Sequence, residues 1–119
     1  MTIFIFGFGQ VSKELVKRLS SEKNMRFKIV SRNTENYLNY DFLKIDFFKE
    51  KKLNLSDTTL ISTIPPDEKD EDYILKNISK SNLKSFSRII YISSTSVYQS
   101  GNVDELTIPK PTTKLGIRR

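Results

Sequence analysis

The sequence predicts an α/β fold, a three-layer domain with helices on both faces of a parallel sheet. Three observations carry this. Short runs of β-branched and aromatic residues alternate with segments of helical periodicity, the pattern of βαβ units with right-handed crossovers. The first run, Ile3-Phe4-Ile5-Phe6, has no charge and passes directly into Gly7-Phe8-Gly9-Gln10-Val11-Ser12. Prolines and hydroxyl clusters then punctuate the later runs at their carboxyl ends.

Thr2 to Phe6 reads as the first, central strand. From about Gly9 to Ser21 a helix follows, with Val11, Leu15 and Leu19 on its apolar face and Lys13, Lys17 and Arg18 elsewhere. Phe27 to Val30 is the second strand, and polar Ser31 to Asn39 a loop or irregular helix. Leu43 to Phe47 forms a short third strand, after which Leu53 and Leu55 tuck a connector against the sheet. Thr58 to Ile64 is the fourth strand, stopped by Pro65-Pro66 because proline cannot donate to a ladder. Asp67-Glu68 place acid in the first turn of a helix running to about Asn82, with Tyr73, Ile74 and Ile78 as its apolar face. Arg88 to Ile92 is the fifth strand, ending in Ser93-Ser94-Thr95-Ser96. Residues 99–119 read as loop. The expected spatial order is 3-2-1-4-5, with a ligand at the switch point beyond strands one and four.

At 119 residues, with 37% apolar and 29% charged residues, the chain is a single globular domain. No apolar run approaches the roughly 18 residues of a membrane span, and no basic flank or cleavage site marks a signal peptide. The expected location is the cytoplasm. Cysteine is absent, which excludes disulfides, a thiolate nucleophile and cysteine–zinc sites. Histidine is absent too, which excludes Ser-His-Asp hydrolysis and most zinc chemistry, and no metal site is expected. The net charge of +6 raises the question of nucleic acid. Lys and Arg are interspersed with acids except at Lys110, Lys114, Arg118 and Arg119, and aromatic and basic residues do not interleave. Alanine does not occur while Lys, Asn, Ile and Ser abound, a balance that AT-rich codons produce. A solvated basic surface is therefore favoured over a nucleic-acid site.

The glycine corner carries the chemistry. A buried strand, a glycine turn and an amphipathic helix form a cradle for a pyrophosphate. Gly7 lets the chain turn sharply. Gly9 leaves room for an anion to approach the helix N-terminus, where the first amides, including those of Gln10 and Val11, and the helix dipole favour negative charge. Ser12 stands where the fingerprint has a third glycine. It is small enough for close helix–strand packing, with its hydroxyl expected to bond the preceding turn.

Taken together, Gly7 to Ser12, Ser31-Arg32, Asp46-Phe47, Ile61 to Pro65 and Tyr91-Ile92-Ser93-Ser94-Thr95-Ser96-Val97-Tyr98 resemble the short-chain dehydrogenase/reductase superfamily. The resemblance is to its extended and atypical branch of nucleotide-sugar epimerase-like proteins. The S-S-x-x-V-Y run, followed by Val103-Asp104-Glu105 and Pro111-Thr112-Thr113, is its most specific part. It implies a Rossmann-type fold truncated relative to the family, corresponding to the N-terminal part and lacking the substrate lobe. It also implies a nicotinamide dinucleotide, held at Gly7, Gly9, Gln10, Val11, Ser12, Ser31, Arg32, Asp46, Phe47, Ile64 and Pro65. Where an acid would bind the ribose of NAD, Ser31-Arg32 offers a cation for the 2′-phosphate of NADP, so NADP is preferred to NAD. Ser94 matches the family's substrate-binding hydroxyl and Thr95 is its neighbour. Each serves equally well as a turn cap, and Tyr98 reads as a packing residue.

The family's proton-transfer pair is a Tyr followed four residues later by a Lys, which lowers the phenol's pKa. Aligning Pro111 to Arg119 on that pattern puts Leu115 at the Tyr and Arg119 at the Lys. The other match, Tyr40 to Lys44, precedes the third strand and reads as chance. Two function classes stay open. One is a dinucleotide-binding protein of epimerase or reductase ancestry, with any turnover centred on Ser94 and Thr95. The other is a non-catalytic remnant or interaction module that self-associates or is completed by another chain.

Overall fold

A computed structural model describes residues 1–32, 37–45, 47–93, 101–102, 104–112 and 117. Five parallel strands form one sheet: β1 (Thr2–Phe6), β2 (Arg26–Ser31), β3 (Asp41–Lys44), β4 (Thr58–Ser62) and β5 (Arg88–Tyr91). Their order is β3-β2-β1-β4-β5, the order the sequence predicts. β1 pairs with both β2 and β4, which sets Phe6 opposite Val30 and Ser62 and makes this row the sheet's carboxyl rim.

Alternation along the strands divides the core into two layers. Ile3, Ile5, Phe27, Ile29 and Ile61 face helix α1 (Gln10–Leu19) through Val16. Phe4, Phe6, Val30 and Leu60 face the other side, where Phe48, Ile74, Ile78 and Phe86 close over them. Phe4 meets Phe48 and Phe86 edge-on, with ring centroids 5.2 and 5.7 Å apart. Leu55 is buried and Leu53 packs against the same layer, as expected of the connector.

The helices depart from expectation in two respects. On α1 the buried stripe runs through Ser12 and Val16, with Leu15 and Leu19 at its border, while Val11 is 57% exposed. A stripe of i, i+4 spacing passes through 12 and 16 and rotates Val11 outward. The single helix expected from Asp67 to Asn82 is instead two short ones, α3 (Tyr73–Asn77) and α4 (Lys80–Ser85). Asp67 does not start a helix because its carboxylate accepts the amides of Lys69 and Glu71, closing a local turn that competes with helix. Asp70 then adopts φ +61°, and Asp72 caps α3 by accepting from Ile74 and Leu75. Ile78 is extended, and Ser79 caps α4 by accepting from the Asn82 amide.

Asn82 itself is fully buried. Its amide donates to the carbonyls of Phe48 and Lys51 and its oxygen accepts from Leu53, tying α4 to α2 (Phe47–Glu50) and to the segment that follows it. Strand boundaries differ as well. Ser31 extends β2 beyond the expected Val30, while β4 ends at Ser62 and β5 at Tyr91, each short of its expected end. β3 lies earlier than Leu43–Phe47, so Phe47 opens α2 instead of ending a strand. The described residues 101–102 and 104–112 contain no helix or strand, in keeping with the expected loop, but Ile117 is helical, so the loop expected over 99–119 does not hold throughout.

Candidate functional site: a cleft over the glycine turn

Gly7 leaves β1 at φ +91°, a conformation that an L side chain rarely adopts. Its amide donates to Val30 O at 2.9 Å. A Cβ here would lie 2.7 Å from Thr63 Oγ1 and 2.9 Å from Ile64 Cγ1, so the turn is closed against the end of β4. Gly9 differs. It is the N-cap of α1, with ordinary φ of −90°, and a Cβ on it would meet nothing within 4 Å. The protein therefore does not need glycine at position 9 for its own packing. With no side-chain cap and no acid in the first turn, α1 presents its leading amides and positive dipole end to that open space.

Ser12 is completely buried, and its Oγ lies 2.8 Å from Thr63 Oγ1. Thr63 Oγ1 in turn donates to the Phe6 carbonyl at 3.1 Å. The expected bond from Ser12 to the preceding turn is thus replaced by a bond across to the residue after β4. The reason is the rotation of α1, which points position 12 at the sheet between β1 and β4. Ser12 acts through this link, beneath the turn.

Two cavities meet over the turn and share Gly7, Ile64 and Pro65. The first, about 340 Å³, is walled by Phe8, Ser31, Arg32, Asp67 and Tyr73. The second, about 460 Å³, extends past Gly9, Gln10, Val11 and Thr63 to Ile92 and Ser93 at the end of β5. The glycine turn thus lies at the waist of a two-lobed cleft, outside the carboxyl ends of β1 and β4.

In the first lobe the Arg32 guanidinium sits 5.8 Å from the centroid of the Tyr73 ring. Asp67 enters the same lobe, and the backbone N–H groups of Glu71 and then Lys69 hold its carboxyl below the usual aspartate range. Phe8 anchors the far side, edge-on to Tyr37 and Phe42 at 5.1 Å each, with the Lys13 amine 5.3 Å from its ring.

Of the predicted site residues, Gly7, Gly9, Gln10, Val11, Ser31, Arg32, Ile64 and Pro65 come together around the cleft. Phe47 packs into the core layer with Phe48, at a ring distance of 5.5 Å, with the Lys51 amine over its other side. Asp46, Ser94, Thr95, Tyr98, Leu115 and Arg119 lie outside the described residues. Phe8, Thr63, Pro66, Asp67, Tyr73, Ile92 and Ser93 also line the cleft and were not among the predicted site residues. A threonine directly before Ile64-Pro65, at a strand end, was the available signal for Thr63. Among the described residues no group of three or more acidic side chains could hold a metal ion. No helix among them is long and apolar enough to cross a membrane.

A parallel sheet with its order reversing at a glycine turn defines a Rossmann-type α/β protein. No protein-family model matches the sequence and no curated protein matches it. Solved structures do share the fold. UDP-N-acetylglucosamine 4-epimerase from Bacillus cereus matches with a TM-score of 0.72 and 18% identity, over 99% of this chain and 45% of that one. UDP-glucuronic acid 4-epimerase from Bacillus cereus, in complex with NAD, matches with a TM-score of 0.63 and 17% identity, over 99% and 48%. A mutant of that epimerase with NAD and a fluorinated UDP-sugar matches with a TM-score of 0.65. The resemblance to the nucleotide-sugar epimerase branch thus holds at the level of fold, and the chain spans about half the length of these structures.

Proposed function

We propose that the protein binds a nicotinamide dinucleotide across the glycine turn and descends from the epimerase and reductase lineage of short-chain dehydrogenases. The observation that carries this is the two-lobed cleft meeting over Gly7, with open space above Gly9 at the uncapped start of α1. A dinucleotide has the same plan, with two nucleosides joined by a pyrophosphate that needs amide donors and no intruding Cβ. The solved neighbours that contain NAD support the class of ligand.

In this proposal Gly7, Gly9, Gln10 and Val11 hold the pyrophosphate through the backbone, and Ser12 fixes the helix beneath it. Ser31, Arg32, Ile64, Pro65 and Tyr73 line the adenosine lobe. Arg32 favours NADP over NAD, since it is a cation where a ribose-binding acid would stand. Asp67 competes weakly, because one of its oxygens is already committed to two loop amides. Ile92 and Ser93 line the second lobe, and Ser94 and Thr95, the next residues in the sequence, are proposed for the nicotinamide end. A bound nicotinamide supplies hydride transfer to or from a carbonyl or hydroxyl substrate. Leu115 at the position of the family's tyrosine makes binding the better supported half of the proposal, and the cytoplasm is its proposed location.

The test is a fluorescence titration of NADPH and NADH against the wild type and Arg32→Glu. NADPH is expected to bind more tightly to the wild type, and Arg32→Glu to lose that advantage by about tenfold or more, as expected for a lost charge-assisted contact. Absence of binding by either dinucleotide at about 1 mM, where barely 4 kcal/mol of binding energy would be visible, overturns the proposal.

A second function, that of a non-catalytic interaction module, is favoured by one observation. Every residue of β5 is exposed, including Ile89 at 49%, Ile90 at 39% and Tyr91 at 40%.

A further inference from the structure

β5 is an edge strand of unusual character. Among the described residues it pairs only with β4, so among them no strand lies along its other edge, beside exposed apolar side chains. Such an edge templates the addition of another strand. Arg88 opens β5, is exposed, and takes part in neither of the ion pairs among the described residues.

Residues 104–112 carry the complementary features. Asp104 and Thr107 close a small ring: the Asp104 amide donates to Thr107 Oγ1, and the Thr107 hydroxyl and Leu106 amide donate to Asp104 Oδ1. The turn sets Leu106 and Ile108 out at 85% and 75% exposure, two residues apart as Ile89 and Tyr91 are on β5. Beyond it, Pro109 and Pro111 alternate with Ile108 and Lys110. In an extended chain, successive amides point to opposite edges. From residue 108 onward the two prolines therefore leave one edge without donors and the Ile108 and Lys110 amides on the other. This arm can join a sheet on one side and cannot be extended on the other. Its acidic start, Asp104-Glu105, complements Arg88 only if the arm runs parallel to β5. That direction, with Ile108 beside Tyr91, keeps the Asp104-Glu105 turn toward the Arg88 end of β5 and continues the all-parallel sheet.

We propose that residues 108–112 of one copy add as a parallel strand to the β5 edge of a second copy, reciprocally, giving a two-fold dimer. Exchange between copies closes both exposed edges at once, and the prolines stop further growth. The interface uses no residue of the dinucleotide cleft, so it stands or falls independently of cofactor binding.

Sedimentation equilibrium on the full chain tests it. A dimer is expected at about 50 µM, a concentration that reveals dissociation constants in the micromolar range. Ile108→Lys on the arm and Ile89→Lys on the strand should each give monomers with unchanged far-UV circular dichroism. Arg88→Glu alone, and the double variant Asp104→Asn/Glu105→Lys, whose Asn keeps the oxygen that closes the turn, should each weaken the dimer by about tenfold or more through like-charge contact. Mixing these two charge-reversed proteins should restore the dimer, because every strand then faces an arm of opposite sign. A wild type that stays monomeric at that concentration overturns the proposal, including one in which Ile108→Lys lowers the melting temperature because the arm pairs with its own β5. Dimerisation that survives Ile108→Lys or Ile89→Lys, or charge-reversed proteins that do not complement one another, also overturns it.

Discussion

Alanine at position 7 and alanine at position 9 should behave as opposites, although both replace a glycine of the same turn. At Gly7 the added Cβ meets Thr63 Oγ1 at 2.7 Å and Ile64 Cγ1 at 2.9 Å. The Ile64 contact can yield by rotation of a flexible side chain. Thr63 cannot move as easily, since its hydroxyl is bonded to both Ser12 and the Phe6 carbonyl. Holding alanine at positive φ costs about 1–2 kcal/mol, and forcing a methyl into a closed contact about 1–3 kcal/mol more. Gly7→Ala should therefore destabilise the domain by about 2–5 kcal/mol, a large part of the ~5–15 kcal/mol that holds a domain of this size folded. At roughly 3–6 °C per kcal/mol, the melting temperature should fall by about 6–30 °C. Gly9→Ala has negative φ and free space, so its stability should fall by no more than about 1 kcal/mol, the loss of a glycine N-cap being partly offset as the unfolded chain stiffens. Its Cβ instead occupies the space assigned to the pyrophosphate, and NADPH affinity should drop by about tenfold or more. Urea denaturation followed by circular dichroism reads the first effect, and fluorescence titration the second. Equal destabilisation by both substitutions, or a Gly7→Ala protein as stable as wild type, would refute the assignment of the two glycines to packing and to ligand.

Three further outcomes are expected. In a double-mutant cycle of Ser12→Ala and Thr63→Val, the hydroxyl pair should show a coupling of about 0.5–1.5 kcal/mol, and a coupling near zero would mean that the two oxygens do not interact. Asn82→Ala strands the buried Phe48 carbonyl, the partly buried Lys51 carbonyl and the Leu53 amide, and should cost about 2–4 kcal/mol by urea denaturation. Asp67 has a lowered pKa in the folded protein, so its contribution to stability is complete above the unfolded value of about 3.9 and is lost as pH falls through the lower folded value. Asp67→Ala should accordingly flatten the acid limb of the stability–pH curve below about pH 4 while changing its slope little near neutrality.

The sheet was legible because each strand announces itself through a different local signal. Uncharged Thr2–Phe6 runs into glycine, and Thr58–Ser62 stops short of two prolines. Parallel pairing and strand order then follow from the alternation with helices. The α3–α4 region was not legible, because helical spacing of Tyr73, Ile74 and Ile78 says nothing about side chains that compete for amides. Asp67, Asp72 and Ser79 do so, and they break one long helix into a turn and two short helices. In the cleft, backbone demands were readable from Gly7 and Gly9. What depended on contacts between distant segments was not. Thr63 gains its role only because α1 is rotated to bring Ser12 to it, and Asp67 and Tyr73 join Arg32 only through the fold of the loop between β4 and α3. Phe47 shows the converse error, a residue assigned to a strand end that a slightly earlier β3 hands to a helix and the core.

The bond between Ser12 and Thr63 has a consequence for how a ligand would meet this protein. It fastens the start of α1 to the segment leaving β4, while Gly7 fastens the same turn to β2 through Val30. The gap between the first and fourth strands is thus set by three anchored pieces of backbone before anything enters it. A molecule seated there would spend little of its binding energy on ordering the walls, since the preorganisation is already built in. Loosening that hydroxyl link should cost affinity through an entropic penalty on binding, even in a protein whose every ligand-facing atom is unchanged.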